Sequence, residues 1–249
     1  MGITTTEGVI KKDKQSKFKQ INKYIEIIEG IIKDLQFDKK ISIADMGCGK
    51  GYLTFALYDY LSNHFNLAPH ITGVEIREEL VNECNMIASK CNYTNLTFIT
   101  GTIQKTILPP IDMLIALHAC DTATDEAISI GIKANTKVII CAPCCHKQIR
   151  KQMQPDNALK NITKHGILLE RQAEIVTDSI RALILEACGY KTKVFEFIAT
   201  EHTPKNVLIV ATKVEKNNFQ KQENIERINA LKKLFNIQKH HLESLVELN

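Results

Sequence analysis

The run Asp45-Met46-Gly47-Cys48-Gly49-Lys50-Gly51 carries the densest chemical signal in the chain. Glycines at alternate positions let the backbone turn sharply and approach a ligand closely. The apolar run Ile41–Met46 before them reads as a buried strand and Tyr52–His64 after them as a helix. That strand–loop–helix setting is the one a nucleotide-type cofactor loop requires. Spacing then discriminates. The dinucleotide fingerprint is G-x-G-x-x-G, whereas this loop is G-x-G-x-G preceded by an acid, and no G-K-[ST] follows to make a Walker A site. Glu75 lies 24 residues beyond Gly51, at the end of the next strand, Ile71–Ile76. A carboxylate there can accept from both hydroxyls of a ribose. Thr102 follows the third strand, Leu96–Thr100, where an adenine edge would lie.

A second constellation gathers further along. His118, Cys120 and Asp121 follow a strand over Ile111–Leu117, and Cys144, Cys145, His146 and Lys147 follow one over Val138–Cys141. Glu201, His202, Lys205 and Asn206 occupy a later hairpin turn. Strand ends of this kind offer acids, bases and cations to one cleft. Group transfer to a hydroxyl needs in-line positioning and removal of a proton. Asp121, His118 or His146 can take that proton, and Lys147 can lower the hydroxyl pKa electrostatically. A structural role for both histidines stays open. So does Cys144 as a covalent nucleophile. The spacing Cys141-x-x-Cys144-Cys145-His146 also invites zinc, but Cys141 belongs to a strand interior and no second CxxC exists, so no metal is expected.

These residues need a scaffold. Phe18, Ile21, Ile25, Ile28, Ile32 and Leu35 recur at helical spacing, with Ser16 as the expected cap and Lys17, Lys19, Lys23 and Lys33 off the stripe. Helices over Glu78–Lys90 and Asp121–Lys133 alternate with the strands, and Pro69 is expected to break the chain before the second strand. Alternation on short connections implies five parallel strands with helices on both faces. After the fifth strand comes a basic insertion, His146–Lys164, then a long helix, Leu168–Ala187. Two runs follow, Lys191–Ala199 and Val207–Lys213, too close together for a crossover and so an antiparallel hairpin. The expected fold is an α/β seven-stranded sheet, with an N-terminal amphipathic helix over 1–40, the sheet domain over 41–213 and a helical tail over 214–249.

Composition narrows the class. With 249 residues, 44% of them hydrophobic, the chain can bury a substantial core and is not a disordered segment. No apolar run reaches the ~18–20 residues of a membrane span. The N-terminus lacks the pattern of a secretory leader. Eight cysteines without an export signal read as reduced thiols, so a cytoplasmic setting is expected. The net charge of +4 is unevenly spread: residues 41–146 hold six basic against ten acidic groups, while 147–164 hold five against one. Lys11, Lys12, Lys14, Lys17, Lys19 and Lys23 crowd the N-terminal part. An acidic middle with basic flanks suits an anionic macromolecule, or solvated lysines alone.

The D-x-G-x-G-x-G loop, the acid at Glu75 and five strands closed by a reversed hairpin resemble the class I, Rossmann-like S-adenosylmethionine (SAM) methyltransferases over Ile41–Lys213. Leu117–Ile128 (LHACDTATDEAI) and Cys141–Ile149 (CAPCCHKQI) are similar to the domain shared by tRNA acceptor-stem ribose 2′-O-methyltransferases and methyltransferase-like proteins. The resemblance implies SAM as cofactor, with Asp45, Gly47, Gly49 and Gly51 under the methionine and ribose and Glu75 on the ribose hydroxyls. Thr102 and Leu117 would complete that pocket. His118, Asp121, His146, Lys147 and Glu201 would serve the acceptor. It also implies RNA as the expected partner, without DNA specificity, with protein or small-molecule substrates and a non-catalytic binding module as alternatives.

Overall fold

A computed structural model describes residues 2–3, 5, 7–35, 37, 39–65, 67–117, 119–197, 206–214 and 220–248. Strands β1 (Lys40–Met46), β2 (Ala68–Glu75), β3 (Leu96–Thr100), β4 (Met113–Ala116), β5 (Val138–Cys141), β6 (Tyr190–Glu196) and β7 (Val207–Lys213) form one sheet in the order β3-β2-β1-β4-β5-β7-β6. The expected seven-stranded mixed sheet is therefore present. The chain divides into two compact units, Met1–Ile115 with Glu196–Asn206, and Ala116–Phe195 with Val207–Asn249. No helix among the described residues is long and apolar enough to cross a membrane.

In the first unit β1 pairs in parallel with β2 and β4, and β2 with β3. The central strand β4 (MLIA) is apolar and buried throughout, as a strand covered on both faces must be, whereas the edge strand β3 alternates buried and more exposed residues. Helix α2 (Tyr52–His64) packs on β2, and α3 (Glu78–Lys90) on β2 and β3. Helix α1 (Gln15–Leu35) lies against α2 and buries Ile21, Tyr24, Ile28 and Ile32, with Tyr24 stacked on Phe197 at 4.5 Å. Its buried stripe is shorter than the periodicity implies: Phe18 and Leu35, at its two ends, are both 37% exposed. Ser16 does not cap this helix. A 3-10 turn over Lys12–Lys14 runs directly into it and leaves Ser16 inside the first turn.

Pro69 does not break the chain before β2 but sits within it, opposite Ile41. The ladder to β3 begins only at Ile71, so the missing proline N–H removes no bond there. β4 is shorter than the apolar run Ile111–Leu117, because Asp112 closes its start with both backbone and side chain: its N–H donates to the Ser42 carbonyl and its carboxylate accepts from the Ser42 N–H.

In the second unit β5 pairs antiparallel with β7, from Val138↔Thr212 to Cys141↔Ile209. Helices α4 (Thr122–Lys133) and α7 (Gly166–Ala187) cover apolar surface beside short α5 (Lys147–Arg150) and α6 (Lys160–Thr163). The tail forms α8 (Lys221–Phe235), on α7, and α9 (His241–Val246), on α4. Polar contacts fix the tail to the basic insertion. The Gln152 side chain donates to the Lys239 carbonyl at 2.8 Å and accepts from the Gln238 and Lys239 N–H groups at 3.1 Å. A capping box between His240 and Glu243 starts α9.

Close approach is enforced at Gly73 of β2. A Cβ there would meet the Phe98 ring at 2.5 Å and the Cys48 sulfur at 2.9 Å. Gly73→Ala should lower stability by about 1–3 kcal/mol through overpacking. The expected readout is a lower urea midpoint with an unchanged slope.

Candidate functional site

The glycine loop begins where β1 ends. The N–H groups of Gly47 and Cys48 both donate to the Val74 carbonyl, at 2.8 and 3.0 Å, which folds the loop across the end of β2. Gly47, Gly49 and Gly51 have φ of +75°, +58° and +66°, the left-handed region in which side chains are strained. Alternate glycines are thus a requirement of the turn itself. The Gly49 N–H then donates to Glu75 Oε2 at 2.9 Å. The acid and the loop that the sequence paired at a distance are in direct contact.

Glu75 is only 6% exposed. Its Oε1 accepts from the N–H groups of Ile76 and Arg77, and the Arg77 guanidinium grips both oxygens, Nε to Oε1 at 2.8 Å and Nη2 to Oε2 at 3.2 Å. The Arg77 bonds, foremost, hold the carboxyl below its ordinary pKa in spite of burial. Arg77 itself is half exposed. It is not among the expected site residues, although an arginine two positions from a strand-end acid is well placed to fork it.

Asp45 is buried and accepts from the Thr54 hydroxyl at 2.7 Å. Burial pushes its pKa up to about 6, against the pull of Thr54 and of Lys17. Lys17, expected among the solvated cations of α1, instead lies partly buried, donates to Gln20 at 3.2 Å and faces the charge of Asp45. Thr102 is exposed, and its carbonyl accepts from the Thr106 N–H and hydroxyl in a tight turn after β3.

Leu117, Asp121, His146 and Lys147 belong to the second unit. Leu117 is buried directly after β4. His118 and Glu201 lie outside the described residues, as do His202 and Lys205. Asp121 directly, and His146 through Asp178, are tied to Arg181, a fully buried arginine of α7 that the sequence pattern alone does not single out. Its Nε donates to Asp125 at 2.7 Å, Nη1 to Asp178 at 3.0 Å and Nη2 to the Asp121 carbonyl at 2.9 Å. Asp178 also faces His146, with 3.2 Å from Nε2 to each oxygen. A carboxylate only accepts, so Nε2 carries the proton. His146 is 3% exposed, and its Nδ1 has no partner among the described residues. Its place is inside an ion network. Asp121 has a strained φ of +54°, and its Oδ1 accepts from the Gln148 N–H at 3.1 Å, capping α5, whose first residue is the exposed Lys147. The signal for Arg181 was a charge on the apolar stripe Val176, Ile180, Ile184, three residues after an acid.

Burial holds Asp125 above the ordinary carboxylate range even with Arg181 beside it. Burial opposes the charge on Arg181, but the two carboxylates outweigh it and stabilise the guanidinium. Nearby, three thiols meet. Cys120 and Cys144 have sulfurs 3.1 Å apart, and Cys144 and Cys145 3.7 Å. Burial, then the neighbouring Cys120, pushes Cys144 up to about 12, so at neutral pH it is a thiol and a poor nucleophile.

Comparison with known proteins decides the family. Residues 16–152, more than half of the chain, match the family described as a methyltransferase domain. The chain belongs to that family. Methyltransferases of known structure share the fold: magnesium protoporphyrin IX methyltransferase from Synechocystis PCC 6803, crystallised with bound SAH, is 15% identical with a TM-score of 0.51, over 83% of this chain and 90% of that one. The CMeT domain of the citrinin polyketide synthase is 13% identical with a TM-score of 0.52, over 79% and 53%. Among curated proteins, the glutathione S-transferase C-terminal domain-containing proteins of Homo sapiens and Macaca fascicularis are each 22% identical over 85% of this chain. The chain spans only 36% of their length.

The methyltransferase domain thus includes the glycine loop and Glu75 and runs on through the thiol cluster. Arg181 lies beyond the matched residues but holds two of them, Asp121 and Asp125. Replacing it alone with methionine leaves Asp125 buried without its guanidinium and Asp178 with His146 alone, which should cost about 3–5 kcal/mol. Replacing Asp125 with leucine in the same chain should recover part of that loss, and urea denaturation of the three variants measures both steps.

Proposed function

We propose that this chain is a SAM-dependent methyltransferase that methylates RNA, tRNA or rRNA, by direct transfer. The observation that carries the cofactor assignment is the Glu75–Gly49 contact, which sets a buried carboxylate against a loop of three left-handed glycines. A nucleoside with a free ribose diol fits it, because the diol supplies donors and the carboxylate accepts. Displacing the exposed Arg77 fork frees the lone pairs for that exchange. Asp45 suits the ammonium of the methionine portion. When bound, SAM supplies an electrophilic methyl group on a sulfonium. The protein's part is to hold the diol, neutralise the ammonium and position the acceptor.

Asp121, His118, His146, Lys147 and Glu201 were the expected acceptor-side residues. The burial of His146 and the capping bond of Asp121 favour positioning roles for these two. Lys147, exposed at the start of α5, suits an anionic acceptor. Lys151, Lys160 and Lys164 are exposed as well, while Arg150 is engaged by Glu170 at 2.9 Å. In the N-terminal cluster Lys11, Lys12 and Lys19 are exposed, Lys14 and Lys23 pair with Asp13 and Glu26, and Lys17 turns inward. The exposed cations of residues 147–164 give the basic surface that supports RNA over a neutral small molecule, and a ribose hydroxyl is the finer target favoured by the similarity of Leu117–Ile128.

Two measurements test the reading. Glu75→Gln removes a charged acceptor and should weaken SAM binding in calorimetry by about 1.5–3 kcal/mol. With Asp45 raised to about 6, the ionised form that pairs with an ammonium dominates above that value and is lost below it. SAM affinity should therefore fall as pH drops through about 6, approaching tenfold per unit, and Asp45→Asn should abolish that dependence. Affinity that is flat or rises toward acid would reverse the assignment of Asp45.

The RNA reading predicts affinity that falls with salt, each contacted phosphate adding about 0.7 to the log–log slope for a single strand. A Lys151→Ala, Lys160→Ala, Lys164→Ala variant should flatten that slope and leave SAM binding intact. Salt-independent or absent RNA binding would transfer the methyltransferase to a protein or small-molecule substrate.

A further inference from the structure

The sulfurs of Cys120, Cys144 and Cys145 lie within 4.8 Å of one another, on the loops that follow β4 and β5. The sequence spacing had pointed to Cys141 as the first thiol of a metal set, but Cys141 is fully buried in β5. Cys120, 24 residues before Cys144, takes that position instead. A zinc–thiolate bond is about 2.3 Å, so two sulfurs on a tetrahedral zinc ion stand roughly 3.8 Å apart. The Cys144–Cys145 separation of 3.7 Å already matches, and the Cys120–Cys144 separation of 3.1 Å needs a small opening. That distance is far beyond a disulfide bond of about 2.05 Å.

We propose that Cys120, Cys144 and Cys145 form a binding site for a thiophilic divalent cation, Zn2+. The three sulfurs bind as thiolates, their protons pass to solvent as the metal enters, and no redox step is involved. His146, although next to Cys145, is outside the cluster and bonded to Asp178, so the described residues supply three ligands. Cys120 is exposed, which leaves the fourth coordination position open to water or to a small sulfur, nitrogen or oxygen donor. The site is independent of the RNA assignment and of whether the chain turns over SAM.

The test uses the full chain, reduced, stripped with chelator and titrated anaerobically with Co2+ and then Zn2+. The expected result is one equivalent of Co2+ with a sulfur-to-cobalt charge-transfer band, displaced stoichiometrically by Zn2+. Cys120→Ser, Cys144→Ser and Cys145→Ser should each weaken Zn2+ binding by about 100-fold or more, while Cys91→Ser leaves it unchanged. Circular dichroism matching wild type confirms that each variant is folded. No charge-transfer band with the wild-type chain would overturn the proposal, and so would a band that persists in a folded Cys120→Ser, Cys144→Ser double variant.

Discussion

The second unit is organised by a charge in the wrong medium. Arg181 is 1% exposed, and a guanidinium moved from water to that depth costs several kcal/mol unless it is fully paired. Its partners come from three places in the chain: Asp125 of α4, Asp178 one turn back on α7, and the carbonyl of Asp121 ahead of α4. Each must stay in place for the others to be tolerated. Asp178 in turn holds His146, the residue ahead of α5. Such a network contributes little net stability, since apolar residues of the same volume often do as well. What it fixes is position, because loosening any one bond leaves a buried charge without a partner.

The first unit solves the opposite problem, keeping acids ready near a loop of backbone N–H groups. Glu75 and Asp45 are both buried, yet their pKa values move in opposite directions. The difference is the number of donors. Glu75 has backbone N–H groups and the Arg77 fork, whereas Asp45 has one hydroxyl and the more distant charge of Lys17. Glu75 is therefore an ionised acceptor at every physiological pH. Asp45 has a raised folded pKa, so its contribution to stability is full below the unfolded value of about 3.9 and is lost as pH rises through about 6. At neutral pH its charge destabilises the ligand-free fold, and a cationic ligand relieves that cost.

Periodicity and glycine spacing reveal what is local. The helices Tyr52–His64 and Glu78–Lys90 and the strands Leu96–Thr100, Val138–Cys141 and Val207–Lys213 have the same limits in the sequence reading and in the structure. The loop and Glu75 were legible because the turn demands glycine and the strand end demands a specific residue type. Long-range charge pairing was not. Lys17 looks like any solvated lysine beside Lys19, and only the docking of α1 turns it toward Asp45. Arg181 interrupts an apolar stripe, but nothing in α7 names Asp125, 56 residues away. His146 was visible as a chemical group, while its burial depended on Asp178, which lies in a segment read only for its helical pattern. Cys120 reads in the sequence only as a reduced thiol after a strand, and the packing of two loops is what shows it beside Cys144.

Asp121 is where these constraints collide. Its carbonyl is required by Arg181, its carboxylate caps α5 and its backbone must turn the chain into α4. A non-glycine residue at φ +54° and ψ −119° is strained by an amount on the order of 1–3 kcal/mol, and it persists only because its surroundings over-determine it. Glycine would relax the backbone but could not cap α5. The thiols inherit that rigidity: Cys120 precedes Asp121 and Cys145 precedes His146, so both loops are anchored one residue away through Arg181 and Asp178. Sulfurs on two untethered loops would drift apart at little cost. Here their separation is fixed by the same buried guanidinium that strains Asp121, and the network that contributes little to stability sets the geometry of the thiol cluster.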